Sequence, residues 1–164
     1  LTVANTVDLV IFGATGDLSR RKILPALGHL VSRSKQQVRV VGAGRSHKST
    51  DEFRDLVREA SANQQLASTA EWVELDYADP ATFAPVKDLV SASTIVIFYL
   101  ATPPETVIDI LTALAQGGLS TKEDATRRVV IEKPLGRDLT SAKLINAKLA
   151  DAFKEEQIFR IDHY

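Results

Sequence analysis

Six short apolar runs, separated by segments whose apolar residues recur at helical spacing, leave few folds open to this chain. Asp8–Phe12 is nearly continuous in apolar residues, the pattern of a strand buried on both faces. Leu18–Val31 then carries Ile23, Leu24, Leu27, Leu30 and Val31 along one helical stripe. Val38–Val41 reads as a second strand, and Thr50 or Asp51 is placed to cap a helix with the stripe Phe53, Leu56, Val57 and Ala60. Trp72–Leu75 is a weaker third strand, after which Asp79-Pro80 supplies a cap and a first helical position. Thr94–Leu100 is the strongest strand signal, and the helix Pro103–Ala115 behind it is stopped by Gly117-Gly118. Val129–Ile131, Thr140–Phe153 and Ile158–Ile161 complete the series as strand, helix and strand. Strict alternation implies an α/β fold with a parallel sheet between helical layers. Right-handed crossovers favour a doubly wound, mostly parallel six-stranded sheet with helices on both faces and ligands at the carboxyl ends of its strands. The turns after strands 1, 2, 4, 5 and 6 are therefore expected on one rim.

Composition narrows the classes of function. The 164 residues fit one domain, and 20 basic against 21 acidic residues give none of the basic excess of a nucleic-acid module. No apolar run approaches a membrane span and no basic segment leads into an apolar leader, so a cytoplasmic protein without a membrane partner is expected. The lack of cysteine excludes disulfides, thiolate metal sites and cysteine nucleophiles, and no metal site is expected. Methionine is missing too, even at position 1, so the chain is expected to be a piece of a longer protein.

The unusual residues fall in the rim turns. Gly13-Ala14-Thr15-Gly16-Asp17-Leu18-Ser19 lies between a predicted strand and a predicted helix. Glycines there allow a tight turn and close approach of a pyrophosphate, while free amides at the helix start attract its charge. The spacing is not G-x-G-x-x-G, and Ser19 stands where a third glycine would permit close helix–strand packing. No Walker-A pattern is present. After strand 2 comes Gly44-Arg45-Ser46-His47-Lys48, with no acid between Gly42 and Thr50. A carboxylate here would mark NAD through the ribose hydroxyls, whereas an arginine fork suits the 2′-phosphate of NADP. Read alone, this segment is equally well a solvated basic loop; beside the first motif, the NADP reading is favoured. Ala101-Thr102-Pro103-Pro104 follows strand 4 at the switch point, where it both starts a helix and lines the crevice. Glu132-Lys133-Pro134 follows strand 5: Lys133 is fixed between strand and proline, Pro134 is a candidate for a cis bond, and a rim ion pair of Glu132 with Lys133 is the plainer alternative. Arg160-Ile161-Asp162-His163-Tyr164 sets a carboxylate, an imidazole and a phenol beyond strand 6. A chain that stops on such a cluster is expected to be cut within a functional segment.

GATGDLSRRKILPAL (Gly13–Leu27), VVIEKPLGRDL (Val129–Leu139) and FRIDHY (Phe159–Tyr164), in this order, resemble the glucose-6-phosphate dehydrogenase family. The likeness runs from Asp8 to Tyr164, the coenzyme-binding portion of the family's longer chain. It implies a Rossmann-like NADP-binding domain over residues 1–164, with the family's second, α+β substrate and dimerisation domain absent here. It implies that Gly13, Ala14, Thr15, Gly16, Asp17, Leu18, Ser19 and Arg20 form the dinucleotide turn, with Arg45 on the 2′-phosphate and Ala101 and Pro103 also at the coenzyme. Lys133 would lie between coenzyme and sugar, and His163 and Tyr164 would begin the glucose 6-phosphate site. Asp162 resembles the residue that orients the family's catalytic histidine. That histidine lies downstream, so the fragment is expected to bind NADP without turnover, its homo-oligomeric parent making 6-phosphogluconolactone in the oxidative pentose phosphate pathway. Departures are Gly28 in place of a bulky aromatic, Val107 where some relatives carry a coenzyme-contacting tyrosine, and Leu135 for the phenylalanine of EKPFG.

Three other readings compete on the residues. A glucose–fructose oxidoreductase-like domain also joins a dinucleotide turn to an EKP lysine, but the Gly13-x-x-Gly16 spacing and Asp162-His163 stand against it. A non-catalytic dinucleotide-binding regulatory module is the reading from another class, and the downstream sequence of the parent discriminates it from an enzyme. A short-chain dehydrogenase is disfavoured, because neither Tyr77 nor Tyr99 has a lysine four residues later.

Overall fold

The computed structural model describes residues 6–162, so His163 and Tyr164 lie outside the described residues. The strands β1 (Thr6–Phe12), β2 (Gln37–Gly44), β3 (Glu71–Glu74), β4 (Ile95–Leu100), β5 (Arg127–Glu132) and β6 (Ile158–Ile161) form one sheet. Their order is β3-β2-β1-β4-β5-β6 and every pairing is parallel. Each strand must therefore return through a crossover, and the helices α1 (Leu24–Arg33), α2 (Thr50–Ser61), α3 (Gln64–Thr69), α4 (Ala84–Val90), α5 (Pro104–Gln116) and α6 (Leu139–Ala152) make those returns. The order reverses at β1, with β2 on one side and β4 on the other. The crevice above Phe12 is thus the switch point, as the alternation predicts.

Alternation along the strands divides the core. Val10, Phe12, Val96, Phe98 and Leu100 face α4, α5 and α6, while Leu9, Ile11 and Val40 face α1, α2 and α3. Phe12 sits within the first layer, stacked on Phe83 at 5.7 Å and meeting Tyr77 edge-on at 6.3 Å. Ring pairs at such separations add about 0.5–1.5 kcal/mol each to simple burial. On the second face Ile97, Val130 and Ile161 are only partly buried, because α1, α2 and α3 pack over the β1 half of the sheet.

Several local expectations are corrected. Neither Thr50 nor Asp51 caps α2; Ser49 does, its hydroxyl accepting from Glu52 N while the Glu52 carboxylate accepts from Ser49 N at 2.7 Å. The reciprocal pair satisfies two donors, where Thr50 or Asp51 at the cap would satisfy one. Asp79 does cap, but it opens a 3-10 turn, Pro80–Phe83, that runs on into α4. Helix α3 gave no signal in the sequence: Ala62 breaks the chain from α2 in a left-handed conformation, φ 51°, that alanine rarely signals. Leu30 leaves the predicted stripe and is 59% exposed.

Opposite the crevice, a buried carboxylate ties three segments together. Asp8 is 1% exposed and receives Arg39 in a bidentate pair, Nε at 2.9 Å and Nη2 at 2.7 Å. Ser93 also donates to it, and Arg39 Nη2 reaches the Leu89 carbonyl.

Candidate coenzyme site

The first rim turn is built on Gly13. Its φ is +80°, and a Cβ there would stand 2.5 Å from the Ala101 carbonyl oxygen. Glycine therefore serves both the left-handed backbone and the close passage of the β4–α5 turn. The turn is pinned from both neighbours, Gly13 N donating to Ala43 O and Ala101 N to Phe12 O, each at 3.0 Å. Gly16 N then donates back to Gly13 O. The side chain of Ser19 is fully buried and donates to the same carbonyl at 3.1 Å, so serine performs the close packing for which a third glycine was wanted. Residues 17–18 are helical, and the chain then winds as a π-helical turn, Ser19–Ile23, before α1. Such wide turns recur at functional sites. The amides of Ala14 and Thr15 donate to no acceptor among the described residues. Gly16 is exposed, and a Cβ on it would meet only Gly13 O, at 3.1 Å. Two open amides beside a bare glycine make a surface that an anionic oxygen can approach.

Of the other residues assigned to this turn, Ala14 is buried, Thr15 and Leu18 are half-buried, and Arg20 is exposed with its N–H on Gly16 O. Asp17 points to solvent, where it pairs with Arg21 at 2.8 Å. Exposed pairs of this kind contribute little.

Arg45 stands immediately beyond Gly44, at the end of β2. Its Cζ lies over the ring of Tyr77, 5.5 Å from the centroid, within the range of a cation–π contact. No ion pair among the described residues occupies its guanidinium. Ser46 is exposed and Lys48 half-buried, while His47 Nδ1 meets the Glu74 carboxylate at 2.8 Å. Tyr77 is 6% exposed. Burial raises its phenol above the ordinary value, and the Arg45 charge and the Gly13 amide partly offset that. Sequence reasoning used Tyr77 only to exclude another enzyme class. Its position beneath Arg45 had no local signal.

The remaining rim segments meet across β4, β5 and β6. Pro103 is exposed and precedes α5, with Pro104 at its first turn. Ala101 is half-buried, and the Thr102 hydroxyl beside it is buried with no hydrogen-bond partner among the described residues. Val107 is 4% exposed in the core face of α5, where it helps line a cavity of about 30 Å³ with Thr102, Glu132 and Leu135. The position is thus a packing one in this chain. Lys133 is exposed and its backbone N–H donates to Ile161 O at 2.9 Å, which fixes it next to the segment that leads to Asp162. The Lys133-Pro134 peptide is cis. Glu132 accepts the Tyr99 hydroxyl at 2.6 Å, and among the described residues no ion pair engages Lys133. Burial and that carboxylate hold the Tyr99 phenol far above its ordinary range, so it stays a donor. Asp162 is exposed just past β6. Among the described residues no cluster of three or more potential ligands is placed to hold a metal ion, and no helix is long and apolar enough to cross a membrane.

Comparison with known proteins agrees with this fold. Residues 10–164 match the family described as "Glucose-6-phosphate dehydrogenase, NAD binding domain". The chain is similar to the glucose-6-phosphate 1-dehydrogenase of Dickeya dadantii (strain 3937), 38% identical over 177 residues, covering 99% of this chain and 35% of that protein. Among solved structures it is similar to a glucose-6-phosphate dehydrogenase in complex with its substrate glucose-6-phosphate, with a TM-score of 0.84 and 32% identity over 98% of this chain and 37% of the other. The glucose-6-phosphate 1-dehydrogenase of Mycobacterium avium follows, with a TM-score of 0.81 and 30% identity over 94% of this chain and 35% of that one. The chain spans about a third of the length of the relatives it matches.

Proposed function

Starting from the fact that this chain belongs to the glucose-6-phosphate dehydrogenase family through its NAD binding domain, we propose that residues 1–164 form a coenzyme domain that prefers NADP. The observation that carries this reading is the pairing of two rim features. The open amides of Ala14 and Thr15 beside Gly16 suit a pyrophosphate, and Arg45, free of ion pairs among the described residues, suits a 2′-phosphate. The bound coenzyme supplies the hydride acceptor. Gly13 to Arg20 hold its diphosphate, Arg45 selects it, and Ala101 and Pro103 wall the crevice at the switch point. Lys133, presented by the end of β5 against β6, reaches toward coenzyme and sugar. In the full-length protein, Asp162 orients a histidine base that lies C-terminal to Tyr164, and His163 and Tyr164 begin the site for glucose 6-phosphate. The whole protein then oxidises C1 of the sugar to 6-phosphogluconolactone, acting as a homo-oligomer in the cytoplasm at the entry to the pentose phosphate pathway.

Titration of the chain with NADP and with NAD tests the selectivity. Arg45→Ala removes a charge-assisted contact worth on the order of 1.5–3 kcal/mol, so NADP affinity should fall by roughly 10- to 150-fold while NAD affinity barely moves. Equal losses for both coenzymes would overturn the assignment. The division of labour is tested by NADPH absorbance with saturating glucose 6-phosphate. The 164-residue chain should be silent, because a missing general base alone costs about 10²–10⁴ in rate. Clear turnover would place a base within it.

A further inference from the structure

We propose that Tyr77 is a positioning residue for coenzyme selectivity: its ring is the platform that holds the Arg45 guanidinium at the 2′-phosphate position. The inference rests on the reading of Arg45 given above. Arg45 follows the last residue of β2 and is exposed, so nothing in its own segment restricts a side chain with four rotatable bonds. An arginine left free in this way loses rotamer entropy when it grips a ligand. The ring of Tyr77 offers a rigid place to rest, 5.5 Å from Cζ. A guanidinium held over a ring face keeps its N–H edge directions available to a phosphate, which an ion pair with a carboxylate would consume.

The platform is itself fixed from several sides. Tyr77 packs edge-on against Phe12, the last residue of β1. Its hydroxyl lies near Gly44, where a Cβ would stand 3.6 Å away, and it is influenced by the Gly13 amide. The backbone leading to it is anchored by Leu75 N on Gly44 O at 2.9 Å. Tyr77 therefore touches both arms of the site, the end of β1 at Phe12 and the turn after β2 at Arg45. It comes from neither, but from the segment after β3. Selectivity in this site depends on that third segment.

The test uses NADP and NAD titrations of the 164-residue chain carrying Tyr77→Leu, Tyr77→Phe, Arg45→Ala and the double variant Arg45→Ala/Tyr77→Leu. Tyr77→Leu should lower the NADP-to-NAD affinity ratio by about two- to five-fold, the magnitude of a lost partly exposed cation–π contact. NAD binding serves as the check that the site is still folded. Tyr77→Phe, which keeps the ring, should restore the ratio. Removing Tyr77 in the Arg45→Ala background should have no further effect on it. An unchanged ratio in Tyr77→Leu, or additive losses in the double variant, would overturn the proposal while leaving Arg45 as the phosphate reader. An unchanged ratio in Arg45→Ala would overturn both.

Discussion

The two glycines of the first rim turn serve different ends. Gly13 combines a φ of +80° with a backbone oxygen 2.5 Å from any Cβ, so a side chain there is opposed by the fold itself. Gly16 is exposed and a Cβ there would meet only Gly13 O, at 3.1 Å, so a side chain is opposed far less by the fold than by a ligand. Gly13→Val should therefore destabilise the chain by at least about 2 kcal/mol, combining backbone strain with a steric shift. Gly16→Val should melt within a few degrees of the parent yet lose NADP and NAD binding alike. Thermal melts beside coenzyme titrations separate the two, and a Gly16→Val chain that binds normally would remove the turn from the site. The sequence marked both glycines equally, because composition does not say which one meets protein and which meets solvent.

At the level of the elements, capping decides where the helices that carry rim residues begin. Asp138 caps α6, its carboxylate accepting from Ser141 N at 2.7 Å, and this backbone hydrogen bond holds its pKa below the ordinary 3.8. A depressed folded pKa means that the unfolded chain takes up the proton more readily. The stabilisation is therefore complete above 3.8 and is lost as pH falls through the folded value. Asp138→Asn keeps an acceptor at the cap, so stability at neutral pH should hardly change. The acid loss, read as urea midpoints between about pH 5 and pH 2, should become shallower. A second constraint acts where α1 crosses α2. A Cβ on Gly28 would stand 2.2 Å from Ser61 O, so the crossing admits only glycine as it stands. Gly28→Ala should cost roughly 1–3 kcal/mol in denaturant unfolding without altering coenzyme selectivity. The glycine that looked like a departure from the family's aromatic is thus matched to its own helix partner.

For the molecule as a whole, the two rims of the sheet divide the work. Among the described residues the carboxyl rim carries open amides, an arginine free of ion pairs and a lysine with no ion pair, groups left ready for a ligand. The opposite rim carries Asp8, Arg39 and Ser93, which satisfy one another and join β1, β2 and the approach to β4. The Asp8 hydrogen bond raises the Arg39 pKa further, so the guanidinium stays charged across any working pH. The Asp8 side chain is 2% exposed and that of Arg39 31%. Asp8→Ala should cost on the order of 3 kcal/mol, since it strands a partly buried guanidinium and the Ser93 hydroxyl. Equilibrium urea unfolding reads that loss, and coenzyme affinity measured on the folded chain should survive it.

The order of the strands, the rim on which the turns gather and the glycine turn at the switch point were all legible in the sequence. Each depends on a local period or a local turn chemistry, and the right-handed crossover converts those into topology with little freedom left. The lack of an acid after β2 was legible for the same reason, since one position in one turn decides it. Only the tertiary structure put Tyr77 under Arg45, Tyr99 on Glu132, and Asp8 between Arg39 and Ser93. Those partners lie some 30 to 85 residues apart along the chain. Such pairings depend on strand register and on which faces the helices cover, and residue type carries no trace of either. The period of a segment belongs to its own backbone, whereas the neighbour of a side chain belongs to the packed whole.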